Sequence, residues 1–595
     1  MPTAILTGQP VPGSSIEGDL RSLGFEVRIA ADPAETETLL AQVPGDQRVA
    51  VVDARFVGHL HALRLGLTDP RFPLAAIPGA VTAQPAGRQA LTRALARETS
   101  AQGTLLVDSL ADRITGTLDT DVHRPELGSL VAVVPADPQA RNEARQAVAA
   151  VDDEAVRLKS AVKSRDGFFT THFISPYSRY IARWCARRGL TPNQVTTASL
   201  LTALIAAGCA ATGTRGGFVA AGVLLIASFV LDCTDGQLAR YSLQYSTLGA
   251  WLDATFDRAK EYAYYAGLAL GAARGGDDVW ALALGAMILQ TCRHVVDFSF
   301  NEANVGDPSA TANTSPTAAF SDKLDSVGWT VWVRRMIVLP IGERWALIAV
   351  LTAVTTPRIT FYVLLIGCAF AASYTTAGRV LRSLNRKAVR TDRAERALAD
   401  LADSGPLVEL LTRKARVAAA PLWAAVGGLL VVTSAALLGA TWPTLLAALA
   451  YVAFSAAAVS RTLKGALDWL VPPFFRAAEY GTVLILAAES EVNGALPAAF
   501  GLVAAVAYHH YDTVYRIRGD AGAPPHWLVR AIGGHEGRTL VVVVLAVVLT
   551  AAQFTVALTV LAVAVALLVL LESIRFWVSA HRQGAPAVHD EGEPA

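Results

Sequence analysis

Residues 231–262 read LDCTDGQLARYSLQYSTLGAWLDATFDRAKEY and carry four aspartates, Asp232, Asp235, Asp253 and Asp257, at the end of one apolar stretch and the start of another. The first two are three residues apart and the last two are four apart, so each pair shares a helix face if the flanking spans run through these positions. An ionised carboxylate inside hydrocarbon costs about 2.5 kcal/mol or more. Four of them at a membrane boundary need a cation, a partner or a water-filled cavity; exposed helix-end carboxylates capped by loop arginines are the plain alternative. An all-oxygen donor set suits a hard divalent ion such as Mg2+ or Mn2+. Gly236 permits close backbone approach, and Arg240, about two turns beyond Asp232, offers a fork of donors to phosphate oxygens.

The surrounding chain has 595 residues, 53% of them hydrophobic and 17% charged, which is too apolar for an ordinary soluble protein and too long for one domain. A soluble piece joined to a polytopic membrane piece fits better. The net charge of +1, with no basic patch interleaved with aromatics, excludes a nucleic-acid partner. The five cysteines form no CxxC pair and lie in or beside apolar segments, so neither a disulfide framework nor a zinc site is expected. The N-terminal MPTAILTGQPVPG lacks a charged region followed by a long apolar core, so no cleaved signal peptide is expected and later spans must direct insertion.

Residues 1–155 alternate β-type runs (TAIL, FEVRIA, RVAVVDA, LAAIPGAV, LVAVVPA) with helical stretches, predicting a small α/β domain with a largely parallel sheet. Residues 156–192 mix Arg and Lys with Phe, Tyr, Ile and Trp, as an amphipathic juxtamembrane arm does. Beyond Thr191 about twelve candidate spans begin near residues 193, 217, 247, 278, 345, 359, 419, 442, 468, 494, 539 and 556. RVLRSLNRKAVRTDRAER, TVWVRR, SRTLKG and YRIRG fall on one side of them and GATWP, ESEVNG and TAAQ on the other. The positive-inside rule then puts both termini and the aspartate loop in the cytoplasm, with the plasma membrane as the expected location.

The second half repeats the first. WLDATFDRAKEY from Trp251 aligns without a gap with WLVPPFFRAAEY from Trp469, CRHVVD at Cys292 with YHHYDTV at Tyr508, and the segment from Trp332 with that from His526. Two tandem all-α six-helix units are expected, over 193–400 and 401–595. In the second, Asp253 is matched by Val471 and Asp257 by Phe475, and no DxxDG precedes Trp469, so this copy is expected to hold no metal.

Read in full, Asp232-x2-Asp235-Gly236-x2-Ala239-Arg240-x8-Gly249-x3-Asp253-x3-Asp257 resembles the signature of the CDP-alcohol phosphotransferase family at every fixed position. LTPNQVT at Leu190 resembles the family's entry into its first span, and the likeness covers about residues 165–385. The resemblance implies attack by an alcohol hydroxyl on the β-phosphate of a CDP-alcohol with release of CMP. It implies that Asp232, Asp235, Asp253 and Asp257 hold two ions, Mg2+ or Mn2+, with Asp257 also the base for the acceptor hydroxyl. It places Asn193, Thr196, Gly236, Ala239, Arg240, Ser246 and Gly249 against the cytidine diphosphate, and it implies a homodimer. Arg293 and Lys260 are candidates for an anionic acceptor, with Arg258 and His294 nearby.

The stretch from Ser164 to Thr196 also resembles the linker and first span of the bifunctional inositol-phosphate cytidylyltransferases with di-myo-inositol-phosphate-phosphate synthase, which carry a nucleotidyltransferase domain ahead of the membrane part. Residues 1–155 are accordingly nucleotidyltransferase-like. They lack the glycine-rich turn with Arg and Lys that would hold a triphosphate, and read as a degenerate domain kept for docking, regulation or stability. The leading expectation is a metal-dependent transferase from a CDP-alcohol to a polyol phosphate such as inositol phosphate. A CDP-diacylglycerol-dependent phospholipid synthase and a non-catalytic membrane scaffold are the alternatives.

Overall fold

The computed structural model describes residues 1–100, 109–163, 166–305, 338–385, 390–412 and 417–582. It divides into two compact units, the first comprising Met1–Ser164, Tyr177–Pro192 and Thr234–Ser246. In that unit β1 (Thr3–Thr7), β2 (Glu26–Ala30) and β3 (Val49–Asp53) pair in parallel, and β5 (Leu74–Ile77) and β6 (Ala80–Ala83) complete a sheet of order β2-β1-β3-β6-β5. β6 is antiparallel to both of its neighbours. The helices α1 (Ile16–Ser22), α2 (Pro33–Gln42), α3 (Leu60–Thr68), α4 (Arg88–Ser100) and α5 (Leu110–Thr117) connect and cover the strands. α2 opens on a capping box: Asp32 accepts from the Glu35 amide at 2.8 Å and the Glu35 carboxylate from the Ala31 amide at 2.7 Å.

Two of the expected strands differ. LAAIPGAV is a hairpin, because Pro78–Gly79 turns the chain and Gly79 takes φ +78 where a Cβ would lie 2.3 Å from Val134. Of LVAVVPA, Ala132–Val133 alone forms a strand (β7), paired with β4 (Val57–Gly58) in a separate two-stranded sheet.

α6 (Pro138–Ala149) and α7 (Asp153–Ser160) follow, then α8 (Ser175–Arg187), on which Tyr177, Tyr180 and Trp184 are exposed among arginines, as suits a helix lying in a membrane interface. The same unit includes the end of the aspartate helix, α10 (Arg215–Ser242). Arg157 donates to the Tyr241 carbonyl at 2.8 Å and stacks 3.5 Å from its ring, while the Tyr241 hydroxyl donates to Glu154 at 2.8 Å. Arg240 Nε donates to the Ala161 carbonyl at 2.6 Å, and Arg71 lies 4.0 Å from the Tyr245 ring.

The second unit is helical. Its long helices are α9 (Pro192–Ala211), α10 up to Cys233, α11 (Thr247–Arg274), α12 (Trp280–Ala303), α13 (Ile341–Val354) and α14 (Pro357–Asn385). After the short α15 (Asp392–Ala402) and α16 (Pro406–Thr412) come α17 (Ala420–Leu438), α18 (Trp442–Ala458), α19 (Val471–Glu489), α20 (Ala495–Arg518), α21 (His526–Ile532), α22 (Gly534–Val548) and α23 (Ala551–Arg582). A helix starts within a few residues of each of the expected span positions. Among the described residues, seven segments are long and apolar enough to cross a membrane, so the chain is a multi-pass membrane protein. α11, α12 and α20 fall outside that set because they carry the charges described below. α9 and α11 cross closely: a Cβ on Gly267 or Gly271 would lie 2.4 Å or 2.0 Å from the Ala207 or Ala210 carbonyl.

His61 on α3 is 3% exposed, and neither ring nitrogen has a hydrogen-bond partner among the described residues. Burial, together with the Arg157 and Arg64 guanidiniums, pushes its pKa down to about 4. The unfolded chain binds this proton near pH 6.5 and the folded chain only near 4. The stability is therefore complete above about pH 6.5 and declines as pH falls toward 4, by about 3 kcal/mol in all. Hydrogen exchange over residues 1–100 of the full-length protein should show this acid slope, and His61→Leu should flatten it.

Candidate active site

α10 runs through both Asp232 and Asp235 and ends where Leu243 takes a left-handed φ of 53°, with Gln244 N donating to the Ala239 carbonyl at 3.0 Å. A non-glycine residue in that region costs roughly 1–2 kcal/mol, offset here by burial of the Leu243 side chain. The turn leads into α11, which carries Asp253 and Asp257 one helical turn apart. One carboxylate oxygen each from Asp232, Asp235 and Asp253 lie within 4.8 Å of one another. Asp235 is buried, Asp232 half-buried and Asp253 exposed, a graded, all-oxygen set that fits a hard divalent cation reached from water.

Asp257 turns elsewhere. Its Oδ1 lies 2.9 Å from Lys260 Nζ, and the same ammonium is ion-paired with Asp232 and donates to Ser199 Oγ at 3.2 Å. Ser199 is fixed in turn by reciprocal bonds to Ser228, 2.9 and 2.8 Å to the two carbonyls. Lys260 is 0% exposed, which removes it from the acceptor candidates: no incoming substrate can reach a side chain sealed beneath the acids.

Of the other expected residues, Asn193 and Thr196 lie in the first turns of α9, Thr196 buried; Gly236, Ala239 and Arg240 lie on the last turns of α10; Ser246 and Gly249 flank the start of α11. The Arg240 guanidinium covers Gly236, whose Cβ would sit 3.5 Å from it. Asp53, at the end of β3, accepts from Arg55 at 2.9 and 3.1 Å, a paired structural acid.

A buried ion network lies deeper in α11. Arg258 donates to Glu261 at 3.0 Å, and Arg344 of α13 lies 3.2 Å from the same carboxylate. The second copy has the same arrangement: Arg476 lies 2.7 Å and Arg538 2.5 Å from Glu479. These are the residues that the sequence match pairs with Arg258, Arg344 and Glu261; the part of that match at 332–337 lies outside the described residues. The second copy adds Asp403, which accepts from Arg538 at 2.7 Å, from Arg476 at 3.3 Å and from His509 at 3.3 Å. The counterpart of His509 is Arg293, which is buried, donates to the Val338 carbonyl and has no hydrogen-bond partner at Nε or Nη1 among the described residues. His294 contacts the Tyr511 hydroxyl of the second copy, and Arg258 lies 5.3 Å from the Tyr511 ring.

Arg344, Ser199 and Tyr511 were not among the expected residues. The repeat carried the signal for Arg344, since Arg538 stands opposite it; no pattern marks Ser199 or Tyr511.

Residues 189–371 match the CDP-alcohol phosphatidyltransferase family. This segment belongs to that family. Residues 392–595 match a family of unknown function (DUF5941). The transferase-family segment is similar to a phosphatidylinositol phosphate synthase of Streptomyces avermitilis, 35% identical over 131 residues, 21% of this chain and 51% of the relative. It is similar to an archaetidylinositol phosphate synthase of Pyrococcus horikoshii, 31% identical over 113 residues, 19% of this chain and 58% of the relative. A bifunctional IPC transferase and DIPP synthase of Aquifex aeolicus is 32% identical over 114 residues, 19% of this chain and 26% of the relative. The chain thus spans about half the length of the synthases and about a quarter of the bifunctional relative.

The Glu479 network lies in the copy without the acids, so its role there is structural. Glu479→Ala leaves Arg476 and Arg538 with one carboxylate fewer, and should destabilise the protein by about 3–5 kcal/mol, read as a lower unfolding midpoint in detergent.

Proposed function

We propose that the transferase-family segment moves a substituted phosphate from a CDP-alcohol to an alcohol hydroxyl and releases CMP, at a cytoplasmic site in the plasma membrane. The supporting observation is the convergence of Asp232, Asp235 and Asp253 with Asp257 one turn further on. The three acids would hold Mg2+ or Mn2+, which neutralises diphosphate charge when bound. Asp257 accepts the proton of the acceptor hydroxyl as its oxygen bonds to the β-phosphorus and the bond to the bridging oxygen breaks; CMP leaves with that oxygen. Asn193, Thr196, Gly236, Ala239, Arg240, Ser246 and Gly249 bind the cytidine diphosphate.

The acceptor is an anion, a polyol phosphate of the inositol-phosphate type. In the second copy the Asp403 carboxylate sits among Arg476, Arg538 and His509. In the first the equivalent groups are Arg258, Arg344 and Arg293, and among the described residues Glu261 is paired with the first two, while Arg293 donates to the Val338 carbonyl. An acceptor phosphate would complete this set as Asp403 completes the other. Relatives named as phosphatidylinositol and archaetidylinositol phosphate synthases agree with such an acceptor and favour a lipid-linked donor such as CDP-diacylglycerol. A homodimer would pack away from α11 and α12, which α19, α20 and α23 of the same chain already cover.

Purified protein with Mg2+ should release CMP from CDP-diacylglycerol or CDP-inositol when offered inositol phosphate; release from neither donor would leave the scaffold reading. Asp257→Asn should lower CMP release by about 10²-fold or more, and unchanged turnover would remove Asp257 as base. Arg293→Gln should raise the KM for the phosphorylated acceptor about tenfold or more and leave the donor KM unchanged.

A further inference from the structure

Lys260 is not explained by membrane insertion or by acceptor binding. Its ammonium donates to Asp232 and to Ser199, lies 2.9 Å from Asp257 as an ion pair, and is 0% exposed. The Trp345 ring lies 5.5 Å from the ammonium. Ser199 is itself locked to Ser228, so the seat is built from α9, α10, α11 and α13 together. This is a permanent cation position.

The chain's own second copy shows which residues this cation belongs with. Across WLDATFDRAKEY and WLVPPFFRAAEY, Arg258, Glu261 and Tyr262 persist as Arg476, Glu479 and Tyr480. Asp253, Asp257 and Lys260 have become Val471, Phe475 and Ala478. The lysine has gone with the acids while the neighbouring ion network stayed. It is therefore part of the chemistry-bearing set rather than of the scaffold.

The geometry divides the acids accordingly. Asp232, Asp235 and Asp253 can meet on one ion, whereas Asp257 is beside Asp232 and shares the ammonium with it. A second divalent ion between Asp232 and Asp257 would share both carboxylates with the buried ammonium and would stand against that like charge. We propose that the site takes one divalent cation, on Asp232, Asp235 and Asp253, and that the Lys260 ammonium supplies the second positive charge and fixes the orientation of Asp257. This rests on the metal-site reading above and replaces the two-ion expectation.

Mn2+ binding to the detergent-solubilised full-length protein, followed by equilibrium dialysis and electron paramagnetic resonance, tests it. The wild type should bind one Mn2+ with an uncoupled spectrum. Lys260→Met should bind a second, with spin coupling between the ions. Two ions in the wild type overturn the proposal without any variant having to fold, and leave the metal site standing. A Lys260→Met protein that still binds one also overturns it. Asp235→Asn should lose the wild-type ion; Mn2+ binding unaffected by that change, or no binding at all, overturns the metal-site reading itself.

Discussion

A charge carried into a helical body inside a bilayer must be neutralised by groups in the same body, because hydrocarbon offers none. The two halves of this chain meet that requirement differently. In the second, Arg476 and Arg538 are matched by Glu479 and Asp403, with His509 also on Asp403, and the set is closed. In the first, Arg258 and Arg344 share Glu261 and Arg293 donates to a backbone carbonyl, while the acids on α10 and α11 outnumber Lys260. The first half is left short of an anion in one place and of a cation in another. Under the proposed function, a phosphorylated acceptor and a metal-bound diphosphate would carry those charges.

The aspartate spacing was readable because a helix converts intervals of three and four residues into shared faces, whatever the tertiary structure does. The helix starts were readable from the apolar runs, and among the described residues seven of those segments are long and apolar enough to cross a membrane. What failed was local or relational. LAAIPGAV reads as one strand until Pro78–Gly79 is recognised as a turn, and of LVAVVPA only Ala132–Val133 finds a partner strand, the two-residue β4. Lys260 reads as a solvent-reaching cation beside acids; its burial depends on Ser199 and Ser228, which lie on α9 and α10 and have no pattern linking them to it. Asp403 could not be placed among Arg476, Arg538 and His509 from sequence, since it comes from the end of a short helix far from all of them along the chain.

The first unit gives the N-terminal α/β domain a mechanical role independent of nucleotide binding. Its α7 and the residues after it hold the last turn of α10 through Arg157 on Tyr241, Glu154 on the Tyr241 hydroxyl and the Ala161 carbonyl on Arg240. Helix ends fray when their terminal groups lack partners. Here the frayable end carries Gly236, Ala239 and Arg240, so the contacts that anchor the domain also hold these motif residues in their helical register.

Hydropathy alone makes the retention of the second copy intelligible. α11 and α12 carry Asp253, Asp257, Arg258, Lys260 and Arg293, and neither is among the candidate spans found in the described residues. Helices of that kind cannot face lipid on their polar sides. α19, α20 and α23 pack against them, with Tyr511 over Arg258 and against His294, and Trp577 stacked on Trp251 at 6.0 Å. A copy that kept its fold while losing Asp253, Asp257 and Lys260 serves this purpose better than an active one would, because apolar Val471, Phe475 and Ala478 are buried without any ion to compensate. Loss of the acids is then what allows the second half to act as a dry wall for the first.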